Sequence, residues 1–319
     1  MRPYAFGVDI GGTAIKLGLF QTSGDLMEKW SIPTQTQDKG ECILPDVIKS
    51  IRSKVDELGI PWNKVEGVGM GVPGPVREDG TVMRCVNLGW GVFNIPERIR
   101  TLEPRIHRFR ISNDVNAATL GEQWKGAAQG RKNVFMITLG TGIGGGLVIN
   151  EKIVNGFGGG AGEIGHFRVD PNETEVCKCG GRGCLEQYCS ATGLLRCARM
   201  ALAERPSIPT MLKNDEHLTA KDICDAAKAG DRLALELLMQ LGDRLGWALT
   251  AAAGTADPEV FVIGGGLSNA GNILLDPIIQ GYRAYAFHAL QSVEFTLAKL
   301  GNDAGIYGCV RMLYLLRKW

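Results

Sequence analysis

The chain has 319 residues, about twice the length of a common single domain, so two lobes are expected. Its 35 Lys and Arg stand against 34 Asp and Glu, a formal charge of +1, and that near-balance argues against a sequence-independent nucleic-acid binder, which needs a basic surface to release counterions. The 45% hydrophobic content supports a packed core and excludes a disordered chain, while 44 glycines, about 14% of the residues, double the usual share with no Gly-X-Y period.

In chain order, residues 4–9 read as a buried strand, Gly11-Gly12-Thr13 as a tight turn and residues 15–20 as a second strand. Thr22-Ser23-Gly24-Asp25 then turns into a third. No apolar stretch of signal-peptide length opens the chain, and the weakly polar run 246–254 is far short of a membrane span, so a cytoplasmic protein with no membrane partner is expected. Ile43, Leu44, Val47, Ile48, Ile51, Val55 and Leu58 recur at helical spacing. Residues 65–70 read as a strand ending in Gly71-Val72-Pro73-Gly74. Residues 110–112 end a short strand before Asn113-Asp114, and 115–124 read as a helix. The pattern of strand, glycine turn, strand, turn, strand then recurs about 129 residues on. Residues 134–139 form its first strand and 140–146 its glycine turn, and a hairpin follows around Asn150-Glu151. The later region reads as mostly helical. Thr219 and Asp222 form a capping box, Asp231 caps a long apolar helix to about Ala253, residues 260–263 are a buried strand ending in Gly264-Gly265-Gly266, and 304–316 a final helix. Strands interleaved with helices give an α/β protein.

Glycine is densest from Gly140 to Gly183, where 14 of 44 residues are glycine. Gly140-x-Gly142-x-x-Gly145 matches a dinucleotide fingerprint, but the chain continues as strand and hairpin where a nucleotide-binding helix should open, so NAD binding is not expected. A phosphate-binding hairpin fits better, since backbone N–H groups in a tight turn face an anion. Asp9-x-Gly11-Gly12-Thr13 offers the same geometry with a carboxylate able to hold a metal through water, and Lys16 follows on the next strand. Asp114, at a strand end before a helix, is placed where active-site carboxylates sit in open α/β sheets, or is the helix N-cap.

Nine cysteines in such a chain read as thiols or metal ligands rather than disulfides, and five crowd between Cys177 and Cys197. Cys177, Cys179 and Cys184, with gaps of one and four residues and turned by glycines, suit a tetrahedral soft-ligand site. The fourth ligand is His166 from Glu163-Ile164-Gly165-His166, with Cys189 as the alternative. Four protein ligands would make the metal structural, since a catalytic zinc keeps an open position.

Taken together, Asp9-Ile10-Gly11-Gly12-Thr13, Asn113-Asp114, the 140–146 turn, Glu163-Ile164-Gly165-His166 and Cys177-x-Cys179-Gly180-x-x-Gly183-Cys184-x-Glu186 resemble the ROK family (repressor, open reading frame, kinase). Ser190-Ala191-Thr192-Gly193 resembles the family's bacterial members that phosphorylate glucose with ATP. The resemblance implies a two-lobed actin-like, ribonuclease-H-like fold with a duplicated βββαβαβα core and an interlobe cleft. The expected division is 1–116, to which 304–319 returns, and 117–303 with a zinc knuckle. It implies ATP and Mg²⁺ against Asp9, Gly11, Gly12, Thr13, Lys16, Gly140, Thr141 and Gly142, with Gly264, Gly265 and Gly266 beside the adenosine. Sugar hydroxyls would be held by Asn113, Asp114, Glu163, His166 and Glu186, with Gly74 and Asn87. His166 would bond sugar through one ring nitrogen and a structural Zn²⁺, shared with Cys177, Cys179 and Cys184, through the other.

The expected reaction is phosphorylation of the glucose 6-hydroxyl, with Asp114 accepting its proton. N-acetylmannosamine, fructose or mannose as substrate, and polyphosphate as donor, are alternatives. A sugar-responsive repressor would carry a helix-turn-helix before the first strand, and here a strand starts at residue 4. A homodimer or homotetramer is expected from the resemblance.

Overall fold

A computed structural model of the chain describes residues 2–315. Its described residues divide into two compact units, one formed by residues 2–132, 146–161 and 299–315, the other by 133–145 and 162–298.

In the first unit, β1 (Tyr4–Ile10), β2 (Ala14–Gln21) and β3 (Leu26–Pro33) form an antiparallel meander. β4 (Val65–Val72) and later β7 (Phe109–Asn113) add in parallel on the far side of β1, giving the order β3-β2-β1-β4-β7. α1 (Ile43–Glu57) lays its buried stripe Ile43, Leu44, Val47, Ile48, Ile51 and Val55 into a core with Phe6, Val8, Ile10, Leu17, Val68 and Met70. Six of the seven positions expected from sequence form the face that packs, whereas Leu58 falls just past the helix end and is exposed. Between β4 and β7 lie a small hairpin, β5 (Thr81–Val82) with β6 (Phe93–Asn94), and α2 (Ile95–Leu102), capped by Asn94 accepting from Glu97 N–H. α3 (Asp114–Lys125) follows β7 directly.

The second sheet repeats that order. β8 (Val134–Leu139), β9 (Ile143–Ile149) and β10 (Lys152–Ile153) are followed by β11 (Val260–Gly264) and β12 (Glu294–Leu297), arranged β10-β9-β8-β11-β12. β11 runs parallel to both β8 and β12. Three meander strands, two parallel strands and an intervening helix thus occur twice, which is the duplicated actin-like arrangement. The helices of the second unit are α4 (Glu186–Cys189), α5 (Ala191–Glu204), α6 (Ala220–Lys228), α7 (Arg232–Ala256) and α8 (Asn272–Tyr285). The Thr219–Asp222 capping box is present, and Asp231 caps α7 through Ala234 N–H. No helix among the described residues is long and apolar enough to cross a membrane.

α9 (Ala304–Met312) ends earlier than the expected helix to 316, because a turn follows at Leu313–Tyr314; residue 316 lies outside the described residues. It lies against a row of glycines. Gly18, Gly7 and Gly69 are register partners across β2, β1 and β4. A Cβ on Gly7 would collide with the Ile306 carbonyl, and one on Gly69 with that of Cys309. On its other side α9 interlocks with α3, where a Cβ on Gly308 would strike the Ala117 carbonyl and one on Gly121 that of Ala304. Filling such a crossing with a methyl costs about 1–3 kcal/mol or more, because backbone and not a side-chain tip must move.

This packing also moves the expected division. A boundary at 116/117 would cut α3 in its first turn, yet α3 stays whole in the first unit through Gly121 and Gly308. Residues 146–161 join the same unit. Asn116 accepts from Leu147 N–H, and Asn155 accepts from both Ser112 and Asn116 side chains.

Candidate active site

The first unit gathers two carboxylates around α9. Asp9, near the end of β1, is half-buried against the helix start, and a Cβ on Gly305 would lie 2.7 Å from its carboxyl, so only glycine leaves it room. Burial raises the Asp9 pKa above the ordinary range, and Lys16 pulls it partly back. Lys16 itself donates to the Asn302 carbonyl at 3.1 Å. Beyond Asp9 the turn closes with Gly11 N–H donating to the Ala14 carbonyl at 3.1 Å, while the Thr34 hydroxyl donates to the Gly11 carbonyl at 2.7 Å and Thr34 N–H to that of Thr13 at 3.0 Å.

Asp114 stands at the first position of α3 and is not its N-cap. Asn113 is the cap. Its Oδ1 accepts from Val115 N–H at 2.9 Å and Asn116 N–H at 3.1 Å, and its Nδ2 donates to the Gly74 carbonyl at 3.2 Å. Half-buried Asp114 accepts from Val115 N–H at 2.9 Å through Oδ1. Behind both carboxylates the buried Cys309 thiol donates to the Val8 carbonyl at 3.1 Å, and burial first, then the charges of Asp9 and Asp114, push its pKa up. Asn87 is exposed on the short turn 86–88.

A pH dependence follows from Asp9. A carboxyl whose folded pKa exceeds its unfolded value holds more protons when folded, so its stability contribution is full below the unfolded pKa and lost as pH rises through the folded one. Asp9→Asn removes this titration. In Mg²⁺-free buffer, the variant's melting temperature relative to the parent chain should rise between about pH 4 and 7; a difference flat in pH contradicts the burial.

The second unit gathers the remaining groups. The turn after β8 is shorter than expected, spanning Gly140, Thr141 and Gly142. Gly144, Gly145 and Gly146 belong to β9, where Gly162 and Thr119 approach too closely for a side chain at Gly145 and Gly146 respectively. A strand and not a helix follows the turn, so the dinucleotide fingerprint lacks the helix it requires. The third glycine turn abuts this one, since a Cβ on Gly265 (φ +82°) would lie 2.6 Å from Leu139 backbone.

Glu163 precedes the short turn Ile164–His166. Burial raises its pKa, His166 lowers it, and Glu186 raises it further. Nδ1 of His166 is 3.8 Å from Glu186 Oε1. The ligand atoms of His166, Cys177, Cys179 and Cys184 all lie within 4.8 Å of one another. Cys177 N–H donates to the Gly181 carbonyl and Gly180 N–H to that of Cys177, both at 2.8 Å, so the glycines fold the loop back on itself. Gly181 N–H, 3.4 Å from Cys179 Sγ, lowers that thiol's pKa. Cys189 is no ligand, since its buried thiol points to the Leu241 carbonyl at 3.6 Å. Three thiols and one imidazole at this spacing fit a closed tetrahedral Zn²⁺ site.

Glu186 ties the knuckle to the glycine turn. The Cys177 thiol donates to its Oε1 at 3.0 Å, and its Oε2 would lie 2.7 Å from a Cβ on Gly142. The Ser190 hydroxyl donates to the Glu186 carbonyl at 2.6 Å, Ala191 N–H to that of Gly140 at 2.8 Å and the Thr192 hydroxyl to that of Thr141 at 2.6 Å. The knuckle's base is anchored by Tyr188, which donates to Glu173 at 2.6 Å, and by Arg196, which pairs with Glu173 and Glu175, each at 2.7 Å. The Tyr188 hydrogen bond, Glu175 N–H and Arg196 hold the Glu173 pKa down at about 2.

The ROK family profile matches residues 5–315. The chain belongs to the ROK family. A glucokinase of Halalkalibacterium halodurans is 42% identical over 308 residues, covering 95% of this chain and 92% of the relative. The crystal structure of a ROK family glucokinase from Streptomyces griseus in complex with glucose and AMPPNP is 32% identical, with a TM-score of 0.77 over 97% of this chain and 98% of that one. A putative xylose repressor from a Caldicellulosiruptor species is 30% identical, over 96% of this chain and 77% of its own length.

The motifs singled out from sequence thus fall into two sets, one in each unit. Not singled out were Asn155 and Asn116, which brace the β7 end, and Thr34, Tyr188 and Arg196. Their partners lie 20 or more residues away or in another turn, so no local spacing marks them.

Proposed function

We propose that this ROK protein is an ATP-dependent kinase that phosphorylates glucose on its 6-hydroxyl. What supports the reading most is the 42% identity to a glucokinase along nearly the whole chain, against 30% to the repressor relative. The donor set agrees with it. Glu163, His166 and Glu186, with Asn113 and Asp114, offer carboxylate, imidazole and amide groups suited to pairing sugar hydroxyls, and a pocket that pairs each hydroxyl rejects analogues lacking one.

Asp114 accepts the proton of the 6-hydroxyl as that oxygen attacks the γ-phosphoryl group. Gly12, Thr13, Thr141 and Gly142 present backbone N–H groups to the donor's phosphates. Asp9, half-buried and only partly compensated by Lys16, suits Mg²⁺ held through water. The cation, when bound, neutralises charge on the transferring phosphoryl oxygens. His166, Cys177, Cys179 and Cys184 would hold a structural Zn²⁺, which would fix the side chains of His166 and Glu186. Gly264, Gly265 and Gly266 flank the adenosine. The nine cysteines are all unpaired, in keeping with a cytoplasmic enzyme.

The 6-hydroxyl assignment is checked with 6-deoxyglucose. ADP release with this analogue should fall to the sugar-free rate while it still competes with glucose. Turnover with 6-deoxyglucose, or loss of competition, contradicts the assignment.

A further inference from the structure

Each glycine turn is backed by a threonine from a distant segment. In the first unit the Thr34 hydroxyl donates to the Gly11 carbonyl at 2.7 Å, and Thr34 N–H donates to the Thr13 carbonyl at 3.0 Å. In the second, the Thr192 hydroxyl donates to the Thr141 carbonyl at 2.6 Å, and the neighbouring Ala191 N–H to the Gly140 carbonyl at 2.8 Å. Thr34 follows β3, whereas Thr192 sits in the first turn of α5, so two unrelated segments perform the same task.

The peptide plane gives this a consequence. In a trans peptide the C=O and the N–H of the same unit point in opposite directions, and the described residues contain no cis peptide. Tying down the Gly11 carbonyl therefore aims the Gly12 N–H away from Thr34. Tying down the Gly140 and Thr141 carbonyls aims the N–H groups of Thr141 and Gly142 away from Ala191 and Thr192. Gly11 and Gly140 spend their own N–H groups inside the turns, on Ala14 and Gly142 carbonyls. The N–H groups of Gly12, Thr141 and Gly142 have no hydrogen-bond partner among the described residues. Gly12 and Thr141 are exposed and Gly142 half-buried, so these donors are open to an anion. Without the clasp a glycine-rich turn would flip its peptides freely, because glycine tolerates both orientations.

We propose that Thr34 and Thr192 are positioning residues for the phosphoryl donor, each hydroxyl locking one glycine turn with its N–H groups presented to phosphate oxygens. The proposal rests on the kinase reading for the identity of the anion, not for the geometry. It also gives Ser190-Ala191-Thr192-Gly193 a mechanical role, since the same segment holds the Glu186 carbonyl through Ser190. The donor turn and the backbone that carries the Glu186 side chain are thus braced by neighbouring residues.

The test compares Thr34→Val and Thr192→Val, which keep the shape and delete the hydroxyl, with Thr34→Ser and Thr192→Ser, which restore it. MgATP binding is measured by calorimetry without sugar, alongside KM for ATP, KM for glucose and thermal unfolding. Loss of one such hydrogen bond should weaken MgATP binding and raise KM for ATP about five- to tenfold in each Val variant. KM for glucose should stay within about twofold, and the Ser variants should regain most of the loss. The clasps lie on separate turns, so their effects should multiply in the double variant. Val variants that bind MgATP like the parent chain, Ser variants no better than Val, or a glucose KM rising in step with that for ATP would overturn the proposal. A parent chain that binds MgATP yet phosphorylates no sugar would overturn the kinase reading alone, and the calorimetry would still judge the clasps. Should one Val variant fail to fold, the other, in a different unit, carries the test.

Discussion

Asp114→Asn should lower kcat for glucose phosphorylation by about 10²- to 10⁴-fold, the range supplied by a positioned general base, with the melting temperature nearly unchanged. The fold makes this separation possible. Had Asp114 capped α3, its replacement would loosen the helix that carries it, and lost activity would be ambiguous. Asn113 performs the capping through two backbone N–H groups and holds the Gly74 carbonyl with its amide. Asn113→Ala should therefore cost stability, about 0.5–2 kcal/mol, whereas Asp114→Asn removes a proton acceptor and leaves the helix start standing. KM for ATP should barely move, because the phosphate turns are built from other segments. Near-full turnover in Asp114→Asn, with glucose 6-phosphate as product, would remove Asp114 from the reaction.

The second large effect is expected from the knuckle. Metal analysis of purified protein should find about one zinc per chain, and Cys179→Ser or chelation should raise KM for glucose at least about tenfold. The change in KM for ATP should be much smaller. The reasoning runs through two kinds of anchor. At its base the knuckle is held without metal, by Tyr188 and Arg196 on Glu173 and Glu175. At its tip, His166, Cys177, Cys179 and Cys184 bring their ligand atoms within 4.8 Å of one another, and a metal held there would order the His166 ring and the Glu186 carboxylate beside it. Removing the metal should loosen the tip while the second unit stays folded, so the loss appears in sugar affinity more than in melting temperature. Absence of zinc, or a Cys179→Ser variant with unchanged sugar affinity, would show the cluster to be misassigned.

Much of this organisation was legible in the residues, because the informative signals are local. The α1 stripe, the Thr219–Asp222 capping box, the Asp231 cap and the Cys-x-Cys…Cys run each lie within a few turns of chain. What was not legible depends on approach across the fold. Gly7, Gly18 and Gly69 look like ordinary strand glycines until α9 lies on them, and Gly121 and Gly308 look like weak points in helices until the two helices cross there. The glycine excess therefore serves helix packing as well as ligand turns. The boundary expected at 116/117 failed for the same reason, since α3 belongs where α9 holds it. His166 was the preferred fourth ligand and Cys189 the alternative, and the burial of Cys189 against Leu241 removes the alternative. Gly144, Gly145 and Gly146 were read as turn, yet they lie in β9, where close neighbours leave no room for a side chain at Gly145 and Gly146.

The central claim, transfer of phosphate from ATP to glucose, is tested most directly by a coupled ADP-release assay. Purified protein would be offered glucose, N-acetylmannosamine, fructose and mannose, with ATP and polyphosphate as alternative donors. The account predicts the highest kcat/KM for glucose with ATP, by about tenfold or more over the other sugars. ADP release no faster with glucose than without sugar, or a clear preference for another hexose or for polyphosphate, would contradict it.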